Sequence, residues 1–566
     1  MTIHLCVDGA DVAVERGDVS LLAALRDELH IRGPKDGCSP QGQCGCCTVL
    51  VDGVARVACV TPVRRVAGRS VTTVDGLDPA IALPLAEALA AAGASQCGFC
   101  TPGIMCRLST LGPAPTPERV ETALLAHLCR CTGWRSIVEA VSAETVLSTD
   151  PGRPTEPGPD DAGAGAGGTE AGGTGAGRDQ AAAARRATIE GGVGQTVGTE
   201  VTFGRGGFAD DTAPPDALVA VPAGPERWAV GESVEEARAA AGKIQGRRSG
   251  AALVWPVAVP PGDWDLTLQT TWVEPGYLEP DASWCRPGGV AASPLANGGA
   301  FGGKVASPVA AAARMLADRH GRPVRVLYTR EDVVRLGPKR PPVGAGIRAD
   351  GTGVVRVAAT AGIAAAIRTA APGLVVEEVE VTGPPTSVAL RAAGWAEASI
   401  LLAAVEALRA GRVPVPPVAR SGPATVTGSA RTGTATVAGP AGATAQAGVE
   451  LDATGRPAGV TVEVDCGTPL DAAVVRSYAT GAAHMALGWV LAEAVAVDSD
   501  GVPEDLTVRS WGILRARDTP PIAITVAPSD GPPVPGADAV FAAVAAATWI
   551  ALGLPSRWPA TRSAGR

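Results

Sequence analysis

Eleven of the thirteen cysteines in this 566-residue chain fall within its first 131 residues, and only Cys285 and Cys466 follow. Nothing else in the sequence constrains the fold as much. The opening stretch Met1 to Gly9 has neither the basic nor the apolar region of a secretory signal. A reducing, cytoplasmic setting is therefore expected, in which crowded thiols serve metal chemistry more readily than disulfides.

The thiols form two sets. The first runs Cys38-Ser-Pro-Gln-Gly-Gln-Cys44-Gly-Cys46-Cys47, with Cys59 after eleven more residues. A plant-type ferredoxin loop reads C-x4-C-x2-C with a distant fourth cysteine; here the first gap is five residues, while Cys44-x-x-Cys47 fits. Gly37, Gly42 and Gly45 let the backbone wrap a cluster and aim amides at its sulfides. Cys46 is read as a surplus, non-ligating thiol, and Cys6 and Cys106 as small core residues. The second set joins Cys97-x-x-Cys100 to Cys129-x-Cys131, both at helix junctions where free amides favour anionic sulfur. Zinc is the alternative metal, although it favours paired knuckles over a single wrapping loop. The five histidines, none paired at ligand spacing, give little support to haem or mixed zinc sites. Two four-thiol sets in tandem point to two 2Fe–2S clusters and to electron transfer.

The length implies two to four domains, and an apolar content of 46% is enough for real cores. A charged fraction of 19% with net charge −9 argues against a nucleic-acid partner. Lysine occurs only at positions 35, 243, 304 and 339, which reads as codon bias toward arginine. The apolar run Ala539 to Pro555 falls just short of spanning length, so a buried helix is expected and no membrane span.

Along residues 1–75, short apolar runs (Ile3 to Val7, Val12 to Val14, Val49 to Val51) alternate with turns, and Leu21 to Leu29 has helical spacing. Asp52-Gly53 signals a hairpin. Helices are expected at Ile81 to Ala92, Gly103 to Leu111, Pro117 to Leu128 and Trp134 to Val146, with Thr116 as cap before Pro117. Residues 149–190, nearly all Gly, Ala, Thr, Pro and Asp, read as a flexible linker. Gly163, Gly165 and Gly168 within it satisfy G-x-G-x-x-G, but no strand precedes them and no apolar helix follows. After the linker, strands alternate with Ala-rich helices. A second low-complexity stretch runs from Val413 to Gly448.

Gln96-Cys97-Gly98-Phe99-Cys100-Thr101-Pro102-Gly103 and Leu128-Cys129-Arg130-Cys131-Thr132-Gly133 resemble signatures of the xanthine oxidase and aldehyde oxidoreductase family of molybdenum hydroxylases. The resemblance covers residues 1–147 and implies an α+β multidomain chain. Its parts would be a ferredoxin-like β-grasp domain (1–75), a four-helix 2Fe–2S domain (76–148), the linker (149–190) and a shortened α/β molybdopterin-binding region (191–566). It implies that Gln96 and Cys131 contact the pterin of a molybdenum cofactor, Cys131 being also an iron ligand. Gly298-Gly299-Ala300-Phe301-Gly302-Gly303-Lys304 is similar to the family's glycine loop beside the metal, and Arg391-Ala392-Ala393-Gly394 to a further loop bordering the pocket. The family's general-base glutamate corresponds, counting back from Ala539-Val540, to Asp530, which also reads as a turn residue before Gly531-Pro532. Between Arg391 and Asp465, where the family holds its pterin dinucleotide, this chain has the low-complexity stretch. No flavin domain is recognisable, so a separate flavin subunit or other acceptor is implied.

The implied activity is hydroxylation of an aldehyde or purine-like N-heterocycle, with electrons leaving through the clusters; a homodimer is compatible with it. A second class of answer is an electron-transfer iron–sulfur protein whose molybdenum region is degenerate and non-catalytic.

Overall fold

The computed structural model describes residues 2–142, 179–189, 194, 196–224, 226–242, 251–295, 300–414 and 431–561. The N-terminal strands form one mixed sheet in the order Ala10–Val14, Ile3–Val7, Ser70–Thr72, Thr48–Val51, Val54–Val57. Ile3–Val7 runs parallel to Ser70–Thr72, and the other pairings are antiparallel. Asp52 and Gly53 have φ of 47° and 74°, the pair of positive values that a tight two-residue hairpin turn needs. The expected helix at Leu21 to Leu29 is one α-turn, Leu21–Ala23, passing into a wider π-turn, Ala24–Glu28. This is a ferredoxin-like β-grasp arrangement.

Four helices follow: Pro79–Ala91, Thr101–Leu108, Pro117–Ala123 and Arg135–Ser142. The first starts two residues earlier than its apolar spacing suggests, because Asp78 accepts from the Ala80 amide at 2.9 Å and Pro79 occupies the first turn. Thr116 caps the third. The fourth is described only to Ser142. Within the linker composition, Gln180–Ile189 is helical, a correction to a wholly irregular reading. Its QAAAARRATI sequence has strong intrinsic helix propensity despite its low complexity. Residues 149–178, including Gly163, Gly165 and Gly168, lie outside the described residues.

The C-terminal region contains three four-stranded sheets among the described residues. The first carries Trp228–Gly231, Leu218–Pro222, Val324–Leu327 and Ala282–Cys285, with helix Val309–His320 against it. That helix follows Ser307-Pro308 and ends at Gly321, φ 63°. The second orders Leu374–Val379, Gly353–Ala358, Val343–Ile347 and Leu266–Gln269. The third orders Arg431–Ala438, Thr444–Leu451, Pro457–Asp465 and Ile522–Val526. The described residues 431–448 of the low-complexity stretch form strands whose alternating small residues line a sheet face: Ala435, Val437, Ala445 and Ala447 are buried. They meet helix Ala537–Ala551, whose side chains from Ala539 onward are all buried. This is the expected buried helix, and no described helix is long and apolar enough to cross a membrane.

The cysteine-rich N-terminal region packs into the rest of the chain. Leu278, Val334, Trp272 and Trp511 share one apolar core with Cys38, Cys47 and Cys129. Arg330, fully buried, donates to the carbonyls of Gly37, Tyr277 and Leu278 at 2.6 to 3.0 Å.

Candidate redox and cofactor site

The hairpin at Asp52-Gly53 organises the first thiol group. Its register pairs Thr48 with Val57, so Cys47, before one strand, and Cys59, after the other, arrive side by side. The Cys59 amide donates to Cys47 Sγ at 3.4 Å, and the Gln41 amide to Cys38 Sγ at 3.3 Å. Cys38 is in hydrogen-bond contact with the thiols of Cys44 and Cys59, and Cys59 also with Cys47. All four are at most 3% exposed. Donation from Cys44 first, then Cys59, holds the Cys38 thiol well below its ordinary range.

The second group is built from two helix junctions. Cys97 and Cys100 precede helix Thr101–Leu108; Cys129 and Cys131 lie in the turn before Arg135–Ser142. Cys131 Sγ meets Cys97 Sγ at 3.6 Å, and Cys100 donates to Cys129. That donation, with Thr132 Oγ1 at 3.1 Å, lowers Cys129 to about 6 despite burial. Among the described residues no three His, Cys, Asp or Glu side chains converge as ligands of a single ion. A 2Fe–2S cluster takes four thiolates, two on each iron. All thirteen cysteines are free; Cys106 is buried as expected, whereas Cys6 is only half-buried.

Beside the second group opens a cleft, about 880 Å³ counting space open to solvent, lined by Gln96, Cys97 and Cys131 from one side and Phe301, Lys304 and Arg391 from the other. Gln96 donates through Nε2 to the Cys131 carbonyl at 2.8 Å and to Ser477 Oγ at 2.7 Å. Helix Ala472–Leu491 comes in closely here, since a Cβ on Gly481 would stand 1.8 Å from the Cys131 carbonyl oxygen. Phe301, φ 55°, accepts from the Arg391 amide at 3.0 Å, and the Arg391 guanidinium lies 5.0 Å from the Phe301 ring centre. Gly302, φ 88°, has no room for a side chain: its Cβ would fall 1.7 Å from the Ala389 carbonyl oxygen. Gly299 lies outside the described residues.

Asp530 is not part of this cavity. It is exposed, in a loop whose Gly531 and Pro532 pack on Gly467 and whose Pro533 to Ala537 line a different, apolar cleft. This corrects the placement expected by counting back from Ala539-Val540. The carboxylate that lines the cavity is Glu279, which sequence reasoning missed. Its Oε2 accepts from Lys304 Nζ at 2.7 Å, and its Oε1 is buried with no hydrogen-bond partner among the described residues. Burial pushes its carboxyl above the ordinary range, against the pull of Lys304. A signal for it existed in the lysines. Lys35, Lys304 and Lys339 are all buried and paired with Asp211, Glu279 and Glu274, while Lys243 lies outside the described residues. In a chain that otherwise uses arginine, the described lysines sit where a compact ammonium is buried against a carboxylate.

Two groups of clustered thiols, one opening onto a cavity lined by Arg130, Lys304 and Arg391, are the arrangement expected of an iron–sulfur protein with a second cofactor site. Residues 73–142 match a 2Fe-2S binding domain, and residues 268–359 and 345–520 match two molybdopterin cofactor-binding domains. One of the subunits of nicotinate dehydrogenase from Pseudomonas putida is 42% identical over 151 residues, covering 25% of this chain and 96% of that one. The nicotine 6-hydroxylase small subunit of Paenarthrobacter nicotinovorans is 44% identical over 133 residues, 23% of this chain and 79% of that one. Aldehyde oxidase 4 of Cavia porcellus is 42% identical over 151 residues, but the match spans only 11% of its length and 24% of this chain. The fold resembles the aldehyde oxidoreductase of Desulfovibrio desulfuricans, with TM-score 0.68, 15% identity, and 98% and 97% of the two chains covered. The Desulfovibrio gigas enzyme gives TM-score 0.67 at 16% identity, covering 99% of each chain. The chain belongs to the xanthine oxidase and aldehyde oxidoreductase family of molybdenum hydroxylases.

Proposed function

We propose that this chain is a molybdenum-dependent hydroxylase of an aldehyde or an electron-poor N-heterocycle. In this reading Cys38, Cys44, Cys47 and Cys59 hold one 2Fe–2S cluster, and Cys97, Cys100, Cys129 and Cys131 hold the other. The observation that carries it is the shared cavity, in which cysteines of the second group face Phe301, Lys304 and Arg391 of the molybdopterin-matching region. The cationic side chains of Arg391, Lys304 and Arg130, with the Gln96 side chain beside them, suit an anionic pterin group. When bound, the molybdenum cofactor would supply the two-electron oxidation.

The protein's own contribution is positioning and proton handling. Gln96 ties the Cys131 turn to helix Ala472–Leu491, fixing one wall. Arg391, over the Phe301 ring at 5.0 Å, forms another. Lys304 anchors Glu279 through Oε2, which leaves Oε1 to take a proton from the reacting centre. A carboxyl that burial raises above its ordinary range, lining the cavity, suits a general base. The relatives that are themselves subunits support division of labour among chains, so a separate flavin subunit or other acceptor would receive the electrons; a homodimer fits equally.

The test is metal content and substrate reduction. Anaerobically purified protein should contain molybdenum with its iron, and an aldehyde or nicotinate-like heterocycle should bleach the visible iron–sulfur absorbance. An electron carrier with a non-catalytic molybdenum region is the second reading, favoured by the exposure of Asp530. Iron-replete, molybdenum-free protein that no such substrate bleaches would select it.

A further inference from the structure

Cys46 is the one thiol of the cysteine-rich loop that the cluster assignments leave unused. It is completely buried, within the same core cluster as Cys106. Its thiol lies near enough to that of Cys44 for the two to perturb each other, as Cys44 and Cys38 do. Its Sγ also lies 3.8 Å from the Cys44 carbonyl oxygen. A Cβ built on Gly37 would stand 3.1 Å from Cys44 Sγ and 3.2 Å from Cys46 Sγ, so the two sulfurs flank one point of the wrapping loop. Gly45 between them has φ 72°, a left-handed residue that lets its two neighbours turn their side chains toward each other. Cys106, by contrast, is buried in the same apolar core, where burial and not a neighbouring thiol pushes its thiol up.

We infer that Cys46 is a reserve ligand of the first cluster, able to replace Cys44 on iron. The inference rests on the reading that Cys38, Cys44, Cys47 and Cys59 hold a 2Fe–2S cluster. The exchange is balanced without an oxidant or reductant. The iron–sulfur bond to Cys44 breaks and Cys44 takes up a proton; Cys46 gives up a proton and its thiolate forms the new bond. The proton passes between two sulfurs that flank the same point of the loop, and the cluster's charge is unchanged. Cys59 has no equivalent spare: its thiol contacts are Cys38 and Cys47, both ligands themselves.

The experiment uses the full chain, purified anaerobically and read by iron and acid-labile sulfide per chain and by the electron paramagnetic resonance signals of the dithionite-reduced protein. Wild type must first give two cluster signals; a single signal there defeats the two-cluster reading rather than the reserve role. With two established, Cys46→Ala should keep both. Cys44→Ala should also keep both, with the first signal shifted by the new ligand geometry. The double variant Cys44→Ala/Cys46→Ala should lose the first signal and half the iron, while the second signal reports an intact fold. Loss of the first cluster in Cys44→Ala with Cys46 present overturns the inference, as does rescue by Cys46 of Cys97→Ala in place of Cys44→Ala. Should Cys44→Ala fail to fold, the stable Cys46→Ala variant decides. A ferrous chelator should strip its first cluster several-fold faster than that of wild type, because a ligand that detaches has no substitute. Equal rates overturn the inference.

Discussion

Arg130 and Glu493, 363 residues apart, meet as a bidentate pair with both N···O distances 2.5 Å and side chains 3% and 2% exposed. Arg130 sits between Cys129 and Cys131 and also donates to the Pro275 carbonyl at 3.1 Å. One guanidinium thus ties the second thiol group to two separate segments of the C-terminal region. Breaking a buried pair by removing one partner leaves an uncompensated charge and costs about 3–5 kcal/mol. Glu493→Gln should therefore lower Tm by several degrees and loosen the second cluster, seen as earlier loss of its signal on heating. Arg130→Met combined with Glu493→Leu should recover much of the Tm, because neither charge is then buried alone. A double variant no more stable than the single one would show that the pair does not act through charge.

Glu279 and Asp530 make opposed predictions for catalysis. Glu279 lines the cavity and is held by Lys304, whereas Asp530 is exposed outside it. Glu279→Gln should cut substrate-dependent reduction of the clusters by about 10²–10⁴-fold, the usual range for a lost general base, and leave both clusters reducible by dithionite. Asp530→Asn should stay within about a factor of two of wild type. The reverse pattern would restore Asp530 to the mechanism.

Most of the thiol framework was legible because ligand spacing and turn chemistry are local. Asp52-Gly53, Thr116-Pro117 and Gly321 each act within a few residues, and the structure shows a turn, a cap and a helix end there. Longer-range features left weaker marks. The strands Arg431–Ala438 and Thr444–Leu451 read as low complexity because their inward positions are small. They are small because the sheet packs close to an alanine-rich helix; a Cβ on Gly433 would fall 2.1 Å from the Ala547 carbonyl oxygen. Gln180–Ile189 carries no strong apolar stripe, only propensity, so composition hid it. Glu279 lies 25 residues from its partner Lys304, and no periodicity links them.

The cysteine assignments predict a sharp contrast between neighbours. Cys47→Ala should remove one cluster, halving iron and acid-labile sulfide, while Cys46→Ala should leave both amounts unchanged. Zinc in place of iron after anaerobic purification would overturn the assignment of both thiol groups.

The same purified chain should retain no flavin, since no strand-associated G-x-G-x-x-G motif is present in the sequence. Electron delivery to nicotinamide or oxygen should then rise sharply on adding a flavin-bearing partner protein. Stoichiometric flavin released from this chain alone by acid would contradict the expectation.

His484 gives the structure a pH dependence of definite sign. Its ring is completely buried in helix Ala472–Leu491, with Nε2 3.1 Å from the Leu514 carbonyl and Nδ1 without a hydrogen-bond partner among the described residues. Burial, and then the nearby positive charge of Arg130, lowers its pKa to about 3. The folded protein therefore keeps the imidazole neutral where an unfolded chain would protonate it. That preference costs nothing above the ordinary histidine value of about 6.5. Below it the unfolded state binds the extra proton, and stability falls by about 1.4 kcal/mol per pH unit until the folded value is reached. His484→Asn keeps a side-chain N–H for Leu514 but has nothing to titrate. Its Tm should lie below that of wild type at pH 7.5 and fall less steeply between pH values of about 6 and 4. Parallel Tm profiles for the two proteins across that range would show that His484 carries none of the acid sensitivity.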